Sequence, residues 1–251
     1  MFARHTLVLS QVAFLVLLIG LWQWAVNAGF ADSSFVGTPG GVASLLIQWI
    51  TDGSLFGHML STLLVLVVGF AAGTALGLAF GAWMGTSAFA QKVAEPFLIF
   101  FNGMPRLILQ PFFIIWLGFG FAPKVALVVA IIVVIVALNT ASAFRDVNKD
   151  YLNHLRLAGA RRSDLALQVY LPSLTLSLLA TSRTNVAFAF QAALVSEFVG
   201  TTSGLGYLIV KGQHSFSADT IWASLAVVIV LSVIIDQALS IVERRTTSWM
   251  N

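Results

Sequence analysis

The chain has 251 residues, of which 59% are hydrophobic and only 9% charged, against roughly 25% charged in a soluble globular protein. So few charges cannot clothe a core of this size in a polar shell, which excludes a water-soluble globule and leaves lipid as the surrounding solvent. Cysteine is absent, which removes thiolate chemistry, cysteine-ligated metals and disulfides, and the net charge of +3 is informative only through its placement.

Crossing the hydrocarbon layer takes about 20 apolar residues, and six stretches qualify: 7–27, 58–85, 96–117, 124–144, 173–199 and 220–242. The first lacks a clear small-residue cleavage site behind it and reads as a permanent anchor. Between the first two, residues 39–52 carry Val42, Leu45, Leu46, Trp49 and Ile50 at helical spacing, as a short interfacial helix or a capped loop helix would. The second span bears Gly69, Gly73, Gly77, Gly81 and Gly85, a stripe that lets another helix approach closely. The third contains Pro96, Pro105 and Pro111, which predict a bent or broken helix.

Sorting the lysines and arginines by loop sets the orientation. Arg4, Lys92, Arg145, Lys149, Arg156, Arg161, Arg162, Arg244 and Arg245 fall on one side, and only Lys124 and Lys211 on the other. The positive-inside rule then places both termini in the cytoplasm. These cations flank apolar spans and do not gather on one polar face, which argues for a membrane and against nucleic acid as the partner.

The loop 145–172 is longer than a hairpin requires and has helical character of its own. Leu152, Leu155, Ala158, Leu165 and Val169 give it an apolar aspect, while Asp150, Asn153, Arg156, Arg161, Arg162 and Asp164 keep the rest polar. Gly159 sits in the middle, where a sharp change of direction costs least.

Gly159, nine further residues, and then Val169-Tyr170-Leu171-Pro172 resemble the cytoplasmic signature of binding-protein-dependent ABC importer permeases. Asn153, His154 and Leu155 stand where that signature has Glu-Ala-Ala. Other segments resemble the nitrate, sulfonate, taurine and pyrimidine-precursor branch: Glu95-Pro96-Phe97, Gly103-Met104-Pro105, Trp116-Leu117-Gly118-Phe119-Gly120, Leu138-Asn139-Thr140, Ser196-Glu197-Phe198 and Gly204-Leu205-Gly206-Tyr207. The resemblance implies an all-α polytopic membrane protein of the type I importer permease kind, one transmembrane domain over 1–251, with six transmembrane helices and a cytoplasmic coupling helix. It also implies that Asn153, His154, Leu155, Gly159, Arg161 and Arg162 meet an ATPase.

The implied assembly has two ATP-binding subunits, a second permease chain (a homodimer favoured over a heterodimer) and an extracytoplasmic solute-binding protein, in a bacterial inner membrane. ATP and magnesium would belong to the ATPase, and this chain would bind no cofactor. The branch points to a small anionic or heteroaromatic solute.

A charge at the bilayer centre costs about 2.5 to 3.5 kcal/mol even on lenient scales, so intramembrane polar residues are the candidates for the path. Arg183, Asn185, Gln191 and Glu197 make the fifth span the richest. Arg183 either lines the path or forms an ion pair, with Asp236 of the last span or Glu197 of another subunit. Arg106 either meets cargo or satisfies carbonyls freed by Pro105, and Glu197 is a gating or solute-contacting carboxylate or a plain interfacial one. His58, His154 and His214 lack ligand spacing, so no metal site is expected. No nucleophile–base pair or phosphate-binding loop is present, which argues against an enzyme. A self-sufficient secondary transporter or channel is the alternative, although paired halves with matching broken helices are not evident.

Overall fold

The computed structural model describes residues 2–147, 150, 154–155 and 157–247, and the regular structure among them is helical. In chain order these are α1 (Phe2–Asn27), α2 (Ser33–Val36), α3 (Pro39–Thr51), α4 (Ser54–Thr86), α5 (Ala88–Gly103), a 3₁₀ turn (Arg106–Leu109), α6 (Gln110–Leu117) and α7 (Phe121–Arg145). There follow α8 (Arg162–Leu165), a π turn (Ala166–Tyr170), α9 (Leu171–Ser196), α10 (Leu205–His214) and α11 (Ala218–Thr247). The chain divides into two compact units, Met1–Ser61 with Thr202–Val230, and Thr62–Thr201 with Leu231–Asn251.

Among the described residues four helices are long and apolar enough to cross a membrane: Leu9–Asn27, Ser54–Thr86, Phe121–Arg145 and Ala218–Ile241. The pair Ala88–Gly103 and Leu107–Leu117, bent by 88°, would supply a fifth as a broken span. The break falls at Met104, whose ψ of 140° is the extended conformation that Pro105 imposes on its predecessor. Pro111 costs little, because it stands at the first turn of α6 where its missing N–H is not needed. The fifth expected span is α9, whose 26 residues reach about 39 Å at helical rise. Arg183, Asn185, Gln191 and several hydroxyls leave it too polar to qualify on composition alone. Its other face explains how it is accommodated: Val186, Ala189, Phe190, Ala192 and Ala193 are buried, and the helix packs along α7.

Within the first unit, Thr38 caps α3 by accepting the Gly41 N–H at 2.9 Å, and Pro39 opens the helix. The carboxylate of Asp219 accepts the Thr38 N–H at 2.7 Å, and the Trp222 indole donates to the Val36 carbonyl at 3.0 Å. The start of α11 is thereby tied to the entry of α3. His58 Nδ1 accepts the Gly204 N–H at 3.1 Å and the ring stacks on Tyr207 at 5.8 Å, fastening α10 to α4.

The second unit is organised around α7, half of whose residues in the spanning window are buried. The glycine stripe of α4 faces it. A Cβ on Gly69, Gly73, Gly77, Gly81 or Gly85 would lie 2.5–2.8 Å from the Cβ of Val128, Ile132, Val136, Thr140 or Phe144 respectively. Glycine every fourth residue on one helix therefore matches a side chain every fourth residue on the other. Met84, Ala94, Leu98, Val134, Ala137 and Ala141 extend the contact to α5.

Candidate functional site

Three groups of residues bear on function, all in the second unit. The first is the loop after α7. Its helical segment stops at Gly159, where φ is +85°. The Ala158 N–H donates to the His154 carbonyl at 3.0 Å, and the Ala160 N–H reaches back to the Leu155 carbonyl at 3.0 Å. That six-residue closure is the Schellman form of a helix end, which needs a left-handed residue at the turn. Nothing lies within 4 Å of where a Gly159 Cβ would stand, so glycine is favoured here by backbone conformation and not by space.

Directly after this stop the chain restarts, because the Asp164 carboxylate reaches back to accept the Arg161 N–H at 2.8 Å, half of a capping box, and starts α8. Leu165 and Val169 are buried against Val147, Leu155, Ala160 and Tyr170. Tyr170 stacks on Phe144 of α7 with centroids 4.6 Å apart, and the Ser173 hydroxyl donates to the Ala143 carbonyl at 3.2 Å. Glu95 of α5 holds Arg145, the last residue of α7, at 3.0 Å. The loop is thus a small folded body braced on the ends of its helices, while Leu157 and Leu167 point away from its core, 86% and 65% exposed.

The second group is a buried polar cluster where α9 ends. Glu197 is 1% exposed, and Thr62 of α4 donates its hydroxyl across both carboxylate oxygens, at 3.0 and 2.9 Å. Lys124, in the first turn of α7, is 4% exposed and lies within Coulombic reach of that carboxylate. Gln110 of α6, 2% exposed, donates to the Ser196 carbonyl at 3.0 Å. Either charge alone would be costly to bury, whereas the pair with its hydrogen bonds offsets much of that cost.

The third group joins α9 to α11. Arg183 Nε lies 3.5 Å from Asp236 Oδ1 and 3.5 Å from Glu243 Oε2, with all three side chains partly exposed.

A family model described as "Binding-protein-dependent transport system inner membrane component" matches residues 73–248. The chain belongs to this family. It is a membrane-embedded permease of the inner membrane, and its relatives are named as transport permeases. A Bacillus subtilis protein assigned to aliphatic sulfonates transport, SsuC, is 26% identical over 93% of this chain and 85% of its own length. The taurine transport system permease protein TauC of Escherichia coli is 22% identical over 95% of this chain and 89% of its own. The formylaminopyrimidine transport permease protein ThiX of Halalkalibacterium halodurans is 23% identical over 96% of each. Among solved structures, an inward-facing MetNI methionine ABC transporter chain superposes with a TM-score of 0.66 at 17% identity, over 76% of this chain and 94% of that one. An amino acid ABC transporter chain gives 0.66 at 16%, over 80% and 98%. These likenesses establish the fold.

The permease places its expected site residues unevenly. Of the loop set, His154, Gly159 and Arg161 are exposed, whereas Leu155 is half-buried in the loop's own core. Asn153 lies outside the described residues, and only the backbone of Arg162 and Arg106 is described. Of the path set, Arg183 and Gln191 share the exposed side of α9, but Asn185 faces inward, 3% exposed, donating to Thr181 Oγ1 at 3.2 Å. Glu197 is enclosed with Lys124 and Thr62 and does not stand at a surface. Sequence reasoning missed Lys124, Thr62 and Gln110 as partners in this cluster. By charge alone Lys124 sorts as one of the two cations of the sparser side; its position at the head of an apolar helix is the available signal.

Proposed function

We propose that this chain is the permease subunit of an ATP-driven importer, with six spans and both termini on the cytoplasmic side. In this reading two such chains, two ATPases that bind ATP and magnesium, and an extracytoplasmic binding protein make the working assembly. The solute is a small organic molecule carrying an anionic group, in line with the sulfonate and taurine permeases among the relatives. The observation that carries the reading is the braced loop: a body fixed to α7 and α9, turning on Gly159 and presenting Leu157 and Leu167 outward. A partner that grips those leucines can pass a rigid-body movement into both helices, because the loop has a core of its own and does not simply unwind.

Gly159→Val tests it. A β-branched residue at φ +85° adds strain of about 1 to 3 kcal/mol and redirects the turn. The variant is expected to insert normally yet lose co-purification of the ATPase or its stimulated turnover, while Gly159→Asn, which tolerates the left-handed conformation, retains more of both. Parental coupling in Gly159→Val would sink the reading. The orientation has its own check. Cysteines placed at Ser34 and Ser163 are expected to react with an impermeant reagent from opposite faces of the membrane, and labelling from one face would rule out the topology.

A further inference from the structure

The turn between α10 and α11, in the first unit, carries a side chain in a conformation that suits it poorly. α10 ends in the Schellman pattern: the Ser217 N–H donates to the Gly212 carbonyl at 2.9 Å and the Phe216 N–H to the Gln213 carbonyl at 3.2 Å. The left-handed position of that pattern is usually glycine, but here it is Phe216, with φ of +51°. Among the described residues no other side chain but glycine's has a positive φ. The Phe216 ring is 81% exposed, so packing within the chain does not offset the strained backbone. A bulky residue held in such a conformation and left outside the core points to a contact beyond the chain.

Phe216 borders a cleft of about 220 Å³, lined also by Phe35 of α2, Gly212 and Gln213 of α10, and Ala218 and Ile221 of α11. Phe35 is 79% exposed, so two exposed rings flank the opening. The cleft is smaller than the roughly 300–1,000 Å³ of a pocket for a drug-sized ligand and suits a segment of a linear chain. Its depth follows from the spans. The apolar span of α1 ends at Asn27 and that of α11 begins at Ala218, inside the cleft. Trp22 meets Trp222 with ring centroids 5.4 Å apart, which sets these two helix ends level. The cleft therefore opens at the boundary of hydrocarbon and headgroups, where aromatic side chains gather. Lys211 and His214 are exposed in the last turn of α10, next in sequence to the cleft residues Gly212 and Gln213. Asp32 and Asp219, the nearest carboxylates along the chain, each accept a backbone N–H, from Ser34 at 2.8 Å and from Thr38 at 2.7 Å.

We infer that this cleft holds a phospholipid, with one acyl chain between Phe35 and Phe216 and its phosphate at Lys211 and His214. The depth decides for lipid over a water-borne partner, since Ala218 and Ile221 already belong to the spanning stretch of α11. An apolar cleft with a cation at its headgroup end matches the two parts of such a molecule. The site does not depend on the importer reading; the topology proposed above puts it in the extracytoplasmic leaflet.

The test takes the purified permease complex from nanodiscs of dioleoyl-phosphatidylglycerol into detergent and counts the phospholipid left on the permease by native mass spectrometry. The parent is expected to keep phospholipid after the bulk lipid is washed away, Phe216→Gly to lose it and Lys211→Gln to lose most of it. Stability should move the other way: after complete delipidation Phe216→Gly is expected to unfold at or above the parental midpoint, because glycine takes a φ of +51° without strain. A parent that keeps no phospholipid overturns the proposal, as does equal retention by Phe216→Gly and the parent. A lower midpoint for delipidated Phe216→Gly overturns it too, since the ring would then be packing within the chain. If Phe216→Gly keeps its phospholipid but no longer responds to an extracytoplasmic binding protein, the two rings are a protein-docking surface and the lipid site is refuted.

Discussion

Gly81→Val is expected to prevent α4 and α7 from seating and to lower the stability of the second unit by about 3 kcal/mol, the upper end of the usual cost of overpacking. The first added carbon would lie 2.5 Å from the Thr140 Cβ and 2.6 Å from the Ala137 carbonyl oxygen. The second contact is backbone and cannot swing aside. Membrane helices have little hydrophobic drive to associate, so close approach of small faces supplies much of what holds this pair together. Chemical denaturation of the purified permease should show the loss. Gly57→Ala serves as the control, since nothing lies within 4 Å of its Cβ position. Gly69→Ala offers a sharper test, because every crowded atom there belongs to the Val128 side chain. The pair Gly69→Ala/Val128→Gly should recover part of what Gly69→Ala loses. If Gly81→Val and Gly57→Ala unfold together with the parent, the stripe is not a seam.

The second large effect concerns Glu197→Gln. It removes the buried carboxylate within Coulombic reach of Lys124, 4% exposed, while the Thr62 hydroxyl keeps an acceptor. Breaking a buried pair by removing one charge typically costs about 3 to 5 kcal/mol, because the survivor remains desolvated. Removing the second charge as well, in Lys124→Met/Glu197→Gln, should return most of that stability. The comparison separates a structural pair from a carboxylate that acts on solute: a restored fold with lost uptake would mean that Glu197 does both. Equal stability of the single variant and the parent would show that the charges are not coupled.

Much of the fold was legible locally. Hydropathy located the helices, since a long apolar run in lipid must satisfy its own backbone hydrogen bonds and the α-helix does so within one segment. The proline at 105 announced the break between α5 and α6 through the conformation it forces on Met104. The position of Gly159 announced the turn of the loop, because a left-handed residue favours glycine whatever surrounds it. These features depend on neighbours in sequence.

Partnerships depend on neighbours in space, and there the sequence was silent or divided. The glycine spacing foretold a close contact but not that α7 would make it, nor that Val128, Ile132, Val136, Thr140 and Phe144 would meet the five glycines in register. Lys124 reads as a loop cation until the fold buries it opposite Glu197, far along the chain. Arg183 has Asp236 as one candidate partner in the sequence, yet that Glu243 would share it emerged only from the fold, which brings α9 and α11 within ion-pair distance. A local rule reports what a residue tolerates, such as a bend, a left-handed turn or burial in lipid. Which charge lies opposite which is set by how whole helices pack, and that is a sum over contacts between segments that the linear order keeps apart.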